Sequence, residues 1–153
     1  MRKSNREIKA FDDIVEVLSR CDTIRLGLND SPYPYIVPLS FGYEVDNGKV
    51  VIYIHGAKEG KKHDLISKDN KVCVEADICH RFVRTEDSVT TEYESIIGYG
   101  KAEKANQEDT IKGLNLLLEH CGYKGFEYRL STLEFLTVYK ITLDSITGKR
   151  RIV

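Results

Sequence analysis

Val50-Val51-Ile52-Tyr53-Ile54-His55-Gly56-Ala57-Lys58-Glu59-Gly60-Lys61-Lys62 runs from an apolar segment through two glycines and three lysines into His63-Asp64-Leu65-Ile66. The apolar run suits a buried strand and Lys62 to Ser67 a short helix, so the stretch reads as strand, small-residue turn, helix. Such a turn leaves backbone N–H groups unpaired at the helix start. Glycine lets the backbone approach an anion closely, the helix start adds partial positive charge, and a lysine adds a full one. Gly56, Ala57, Gly60, Lys61 and Lys62 therefore form a candidate phosphate seat. The same residues also fit a plainer description, a solvated lysine loop between two elements.

Working outward, Asp46-Asn47-Gly48 precedes the strand, and Asn-Gly readily takes the positive φ values that a two-residue hairpin needs. That places an antiparallel arm over Tyr35 to Val45. Pro38 lies inside this arm and removes a ladder donor, so the arm must have an edge, a bulge or an opening near it. Further upstream, Thr23 to Leu28 alternates as a strand and ends at Asn29-Asp30-Ser31-Pro32. Asp12 or Asp13 is positioned to cap a helix with Ile14, Val17, Leu18 and Cys21 on one face. Downstream, Lys71 to Asp77 reads as a strand with Val72 and Val74 on one side and Cys73 and Glu75 on the other. Arg81 to Thr90 is polar and reads as a loop, followed by a strand over Thr91 to Lys104. Gly98 and Gly100 inside that strand mark a bulge or a close approach. Asn106 caps the clearest helix, Gln107 to Cys121, whose Ile111, Leu114, Leu117 and Leu118 form a core-facing stripe that Gly122 ends. Thr137 to Ile146 is the last expected strand, before Thr147-Gly148-Lys149-Arg150.

Composition bounds the function. The chain has 153 residues, 41% hydrophobic and 31% charged, with a net charge of −1. That is an ordinary globular composition with no basic block, so a nucleic-acid partner is not expected. No apolar run reaches membrane-spanning length and no signal peptide is legible, so the chain is expected in the cytoplasm. The four cysteines show no CxxC spacing and read as reduced, mostly buried thiols. Cys79-His80 has no second ligand pair at finger spacing, so no metal site is expected. Asp12-Asp13 and Glu92-x-Glu94 read as helix-start and strand-surface charges, and no nucleophile elbow, His-Glu-x-x-His pair or Walker loop is present. Side chains alone supply little chemistry, which favours a cofactor.

Six strands joined by hairpins and loops, with helices inserted, predict a mainly β α+β fold over residues 1–153 as one domain. A small, partly open barrel suits them better than a doubly wound sheet, because regular βαβα alternation is missing.

Several segments together resemble a family. They are Met1-Arg2-Lys3-Ser4-Asn5-Arg6-Glu7-Ile8, Pro34-Tyr35-Ile36-Val37-Pro38-Leu39-Ser40-Phe41-Gly42-Tyr43, Ile52 through Lys62, Asp69-Asn70-Lys71-Val72-Cys73, and Tyr93-Glu94-Ser95-Ile96-Ile97-Gly98-Tyr99-Gly100-Lys101-Ala102-Glu103. In this order they resemble the nitroimidazole-resistance branch of the pyridoxamine 5′-phosphate oxidase-like FMN-binding split barrels. The resemblance implies a six-stranded split β-barrel, a homodimer, and FMN at each subunit interface. Members of the branch more often carry Asp at the position of Asn5 and Asn at that of Ser40.

Carried over residue by residue, the resemblance points to Lys62, assisted by Lys61, as the phosphate grip at Gly60-Lys61-Lys62. It lines the flavin ring with Pro38, Leu39, Ser40 and Phe41 and brings Ser95 from the partner subunit. It places His55 beside the flavin, where an imidazole of ordinary pKa about 6.5 can deliver a proton to a small-molecule substrate; His55 also fits a strand-ending residue that bonds the turn. The implied activity is FMN-dependent reduction of small electrophilic acceptors such as nitroaromatics. The alternatives are a pyridoxamine 5′-phosphate oxidase-type enzyme and a non-catalytic flavin- or haem-binding module. His63, His80 and His120 match no family site and read as surface or packing residues.

Overall fold

The computed structural model describes residues 3–153. Its strands are β1 (Glu7–Ile8), β2 (Ile24–Leu28), β3 (Tyr35–Leu39), β4 (Gly42–Asp46), β5 (Lys49–Ala57), β6 (Lys71–Arg84), β7 (Val89–Lys104) and β8 (Leu136–Arg151). Three α-helices are inserted, α1 (Phe11–Ser19), α2 (Lys61–Lys68) and α3 (Gln107–His120). All strand pairings are antiparallel, in the order β3-β2-β6-β7-β8-β5-β4, with β1 added beside β8.

That order explains the barrel. β3 and β4 lie at opposite edges of the sheet, yet only Ser40 and Phe41 separate them in the chain. Three Cα steps from Leu39 to Gly42 span at most about 11 Å, so the two edges must curl toward each other. No ladder joins β3 to β4, and the barrel stays split there. The six expected strands all form. The count rises to eight because the expected arm breaks at Ser40-Phe41 and because β1 pairs with the end of β8.

Alternation along each strand sorts the core into two parts. Leu26, Val50, Ile52, Ile54, Val74, Ile96 and Ile141 fill the barrel interior together with Ile14, Val17 and Leu18 of α1. Val51, Tyr53 and Val138 face the other way and meet Leu114 of α3 in a second, smaller cluster.

Several expectations change in detail. α1 is capped by Ala10 without a side-chain bond, and Asp12 and Asp13 sit inside its first turn, where negative charge suits the helix dipole. The expected loop over Arg81 to Thr90 is instead the end of a long hairpin whose turn closes through the Thr85 N–H to Ser88 carbonyl bond at 2.8 Å. β8 continues through Lys149 and Arg150 because β1 and β7 both pair with that stretch, and Gly148 leaves room for Ile8 and Ile14. Gly98 receives the Leu143 side chain, and a register shift falls at Tyr99/Gly100. Cys79 and Cys121 are exposed, so the thiols are not mostly buried. Glu92 and Glu94 are buried rather than strand-surface residues. Among the described residues no helix is long and apolar enough to cross a membrane.

Candidate functional site

The strand-to-helix turn forms as expected, with β5 ending at Ala57 and α2 starting at Lys61. Gly60 caps α2 with a φ of 128°, a conformation that side chains rarely tolerate. Its carbonyl accepts from the N–H groups of His63 and Asp64 at 2.9 and 3.3 Å. The N–H groups at the very start of α2 have no intrahelical acceptor.

Lys62 folds back across the strand end, and its Nζ donates to the His55 carbonyl at 3.1 Å. A Cβ at Gly56 would lie 2.6 Å from that nitrogen, so the missing side chain is what admits the ammonium. Lys62 is half-buried, and burial lowers its pKa from the ordinary lysine value. Among the described residues it has no carboxylate partner. Lys61 points elsewhere: its Nζ lies 2.6 Å from Asp30 Oδ2 and 5.1 Å from the centre of the Tyr35 ring.

The turn borders a cleft of about 230 Å³ lined by Tyr35, Val37, Ala57, Glu59, Gly60, Lys61, Lys62 and His63. Tyr35 and Val37 come from β3, so the cleft sits where the β3 edge meets the end of β5. His63 is buried beneath it, with Nδ1 2.8 Å from Tyr139 Oη. Burial, then the Lys62 ammonium, lowers the pKa of this imidazole.

The ring-lining candidates divide. Pro38 and Ser40 are exposed and Leu39 is half-buried. β4 opens with Gly42 opposite Tyr53, which sets Ser40 just ahead of the ladder on the His55 side. Phe41 is 0% exposed and its ring centre lies 4.4 Å from that of His120. Its aromatic face belongs to the core, and only its backbone is left for a ligand.

His55 is exposed and shares its face of β5 with Val51 and Tyr53, whereas Gly56 faces inward with Ile52 and Ile54. Desolvation, then the Lys62 charge, lowers its pKa from 6.5. Ser95 lies in β7, in register with Asp77 and Lys149, and is separated from β3 by β2 and β6. A single chain does not bring Ser95 to the cleft. Its face of β7 also carries the exposed Ile97 and Tyr99.

Lys149 and Arg150 belong to another group of charges. Glu94 accepts from Arg20 at 2.7 Å, lies 3.0 Å from His80 Nε2, and also accepts from Arg150 Nε. Lys149 Nζ lies 5.9 Å from the Tyr93 ring centre.

Sequence reasoning missed Asp30, Tyr35, Glu59 and His63 as neighbours of the seat. Glu59 stood in the quoted turn and was legible as a charge there. Asp30 read as a turn residue, because nothing in its spacing shows that the β2–β3 connection folds over Lys61.

The sequence model of the pyridoxamine 5′-phosphate oxidase family matches residues 11–150. The chain belongs to that family. Several solved structures share its architecture. A candidate 5-nitroimidazole antibiotic resistance protein from Bacteroides thetaiotaomicron is 28% identical with a TM-score of 0.83, over 94% of this chain and 85% of that one. The flavocytochrome Anf3 from Azotobacter vinelandii is 15% identical with a TM-score of 0.82, over 100% of this chain and 72% of that one. An FAD-binding protein from Mesorhizobium loti is 19% identical with a TM-score of 0.70, over 96% and 98%. No curated protein matches the chain. Within the pyridoxamine 5′-phosphate oxidase family the match runs through β2 to β8, and so includes the whole strand-to-helix turn.

Proposed function

We propose that this protein holds FMN at the His55–Lys62 turn and acts as an oxidoreductase on small electrophilic acceptors such as nitroaromatics. The observation that carries this reading is Lys62, half-buried over Gly56 in the first turn of α2, with its charge unmatched by a carboxylate among the described residues. A phosphate monoester carries roughly −1.5 to −2 charges near neutral pH, and a lysine with a helix start is a fitting donor set for it. Relatives named for FAD binding and for a flavocytochrome support a flavin, and the relative named for 5-nitroimidazole resistance supports the acceptor class.

When bound, a flavin supplies the hydride transfer, and the protein supplies grip, orientation and a proton. Lys62 and the α2 N–H groups hold the phosphate, while Pro38, Leu39 and Ser40 on the β3 side align the ring. His55 is the proton source. Burial, then the Lys62 charge, lowers its pKa from the ordinary imidazole value, so as pH rises its imidazolium, and with it proton delivery, is lost earlier than for an ordinary imidazole. Ser95, out of reach within one chain, serves the site of a second copy in a homodimer. Ile36, Ile97 and Tyr99, exposed on the outer sheet face, support that contact.

The test begins with the absorption spectrum of the purified protein, which should show flavin bands. Lys62→Ala should lower FMN affinity about tenfold or more, the scale of one charge-assisted bond, and leave riboflavin affinity unchanged. Reduced holoprotein should be reoxidised by nitroaromatics faster than free flavin, and His55→Ala should slow that step. A colourless protein that takes up no FMN overturns the reading. A Soret band in place of flavin bands favours a haem-binding module, and turnover of pyridoxamine 5′-phosphate favours the oxidase-type reaction.

A further inference from the structure

Lys61 and Lys62 are neighbours with opposite circumstances. Lys62 has no carboxylate partner among the described residues, whereas Lys61 is held by Asp30 and lies against the Tyr35 ring. Asp30 is itself anchored, because its Oδ1 accepts the Ser31 N–H at 2.9 Å while Oδ2 faces Lys61. With Glu59 also lining the cleft, two carboxylates stand beside two ammonium groups. A ligand phosphate at this turn therefore meets one ammonium with no carboxylate partner among the described residues and a second that Asp30 already holds.

We propose that Asp30 competes with the ligand phosphate for Lys61 and thereby sets how strongly the site prefers a phosphorylated flavin over its unphosphorylated form. This rests on the flavin reading above. Lys61 is the movable member of the pair: its side chain is 57% exposed against 21% for Asp30, and it has a long flexible stem. An ion pair with one partner this exposed is weak, so a phosphate arriving at α2 can draw Lys61 away, at the cost of its two present contacts. Taking the charge from Asp30 removes that cost and leaves the Lys61 ammonium for the phosphate. Riboflavin has no phosphate and is indifferent to either change.

Flavin binding by the apoprotein, followed by fluorescence quenching with FMN and with riboflavin, tests this. Asp30→Asn keeps the oxygen that accepts from Ser31 and should raise FMN affinity about fivefold, the upper range for one exposed ion pair, with riboflavin affinity unchanged. The gain should shrink at high salt and vanish when Asp30→Asn is made in a Lys61→Gln background. Asp30→Ser, which suits the same turn, substitutes if the asparagine variant does not fold. A ratio of FMN to riboflavin affinity that stays level or falls in Asp30→Asn overturns the proposal, as does a gain that survives without Lys61. Loss of FMN preference in Lys62→Ala with no gain in Asp30→Asn leaves the cofactor reading standing and this inference refuted. An apoprotein that takes neither flavin overturns both.

Discussion

Glu94 shows what a single buried charge asks of its surroundings. It is 3% exposed and is met by Arg20 at the C-cap of α1, His80 of β6 and Arg150 of β8. The Arg20 bond, joined by those from Arg150 and His80, holds its carboxyl down to about 2 against an ordinary 4.5. A carboxylate with a lowered folded-state pKa stabilises the fold above its unfolded pKa and loses that contribution as pH falls through the folded one. The contribution is thus complete above about pH 4.5 and fades toward pH 2. Glu94→Gln should cost about 2 to 3 kcal/mol at pH 7. Urea unfolding at pH 7 and near pH 2.5 checks this, since the gap between variant and wild type should narrow at the lower pH. Residue chemistry of this sort was hidden in the sequence. Glu92-x-Glu94 looks like alternation on a solvated strand, and only the return of β8 and the end of α1 to that spot makes the position buried. Lys62 was legible for the opposite reason, because its surroundings are the turn next to it in the chain.

At the scale of elements, α3 lies unusually close to the sheet. A Cβ at Gly42 would fall 2.3 Å from the Leu117 nitrogen, and one at Gly113 would fall 2.5 Å from the Tyr53 ring. Gly42→Ala presses on helix backbone, which cannot rotate aside, and should destabilise by about 3 kcal/mol. Gly113→Ala meets a side chain and should cost less, and chemical denaturation of the two variants side by side gives the comparison. Elements were readable where the deciding chemistry is local. The Asn106 side chain accepts from the Asp109 N–H at 2.8 Å, as its place before the leucine stripe implies. Asn47 and Gly48 have φ values of 49° and 74°, as a tight hairpin requires. The outer part of the β6–β7 hairpin was not readable. Arg81, Phe82, Arg84 and Val89 there are exposed on a ribbon with no sheet on either side, so burial imposes no alternation on them.

For the whole molecule, the split barrel follows from pattern and resemblance, but its closing device does not. The break at Ser40-Phe41 depends on Phe41 being drawn into the core beside His120, a contact between residues far apart in the chain. The site inherits the same limit. The turn was visible as a unit, whereas the β3 wall and Asp30 reach it only through closure of the barrel. Assembly is tested on the outer face, where Tyr99 is 57% exposed and borders an apolar groove of about 560 Å³ with Ile36 and Cys73. If this face joins two copies, Tyr99→Glu should turn a dimer into a monomer in sedimentation and weaken FMN binding, because Ser95 then has no second site to serve. The split itself carries a hazard that the fold must manage. An open barrel keeps two unpaired strand edges, and such an edge offers a row of donors and acceptors to any passing strand. The β2–β3 ladder runs unbroken past Arg25 and Pro38, so the donor that Pro38 lacks is missing from the outward side. Next to the last residue of the exposed β3 edge, the proline therefore leaves a gap in the outward row of donors and keeps neighbouring molecules from lengthening the sheet into an aggregate.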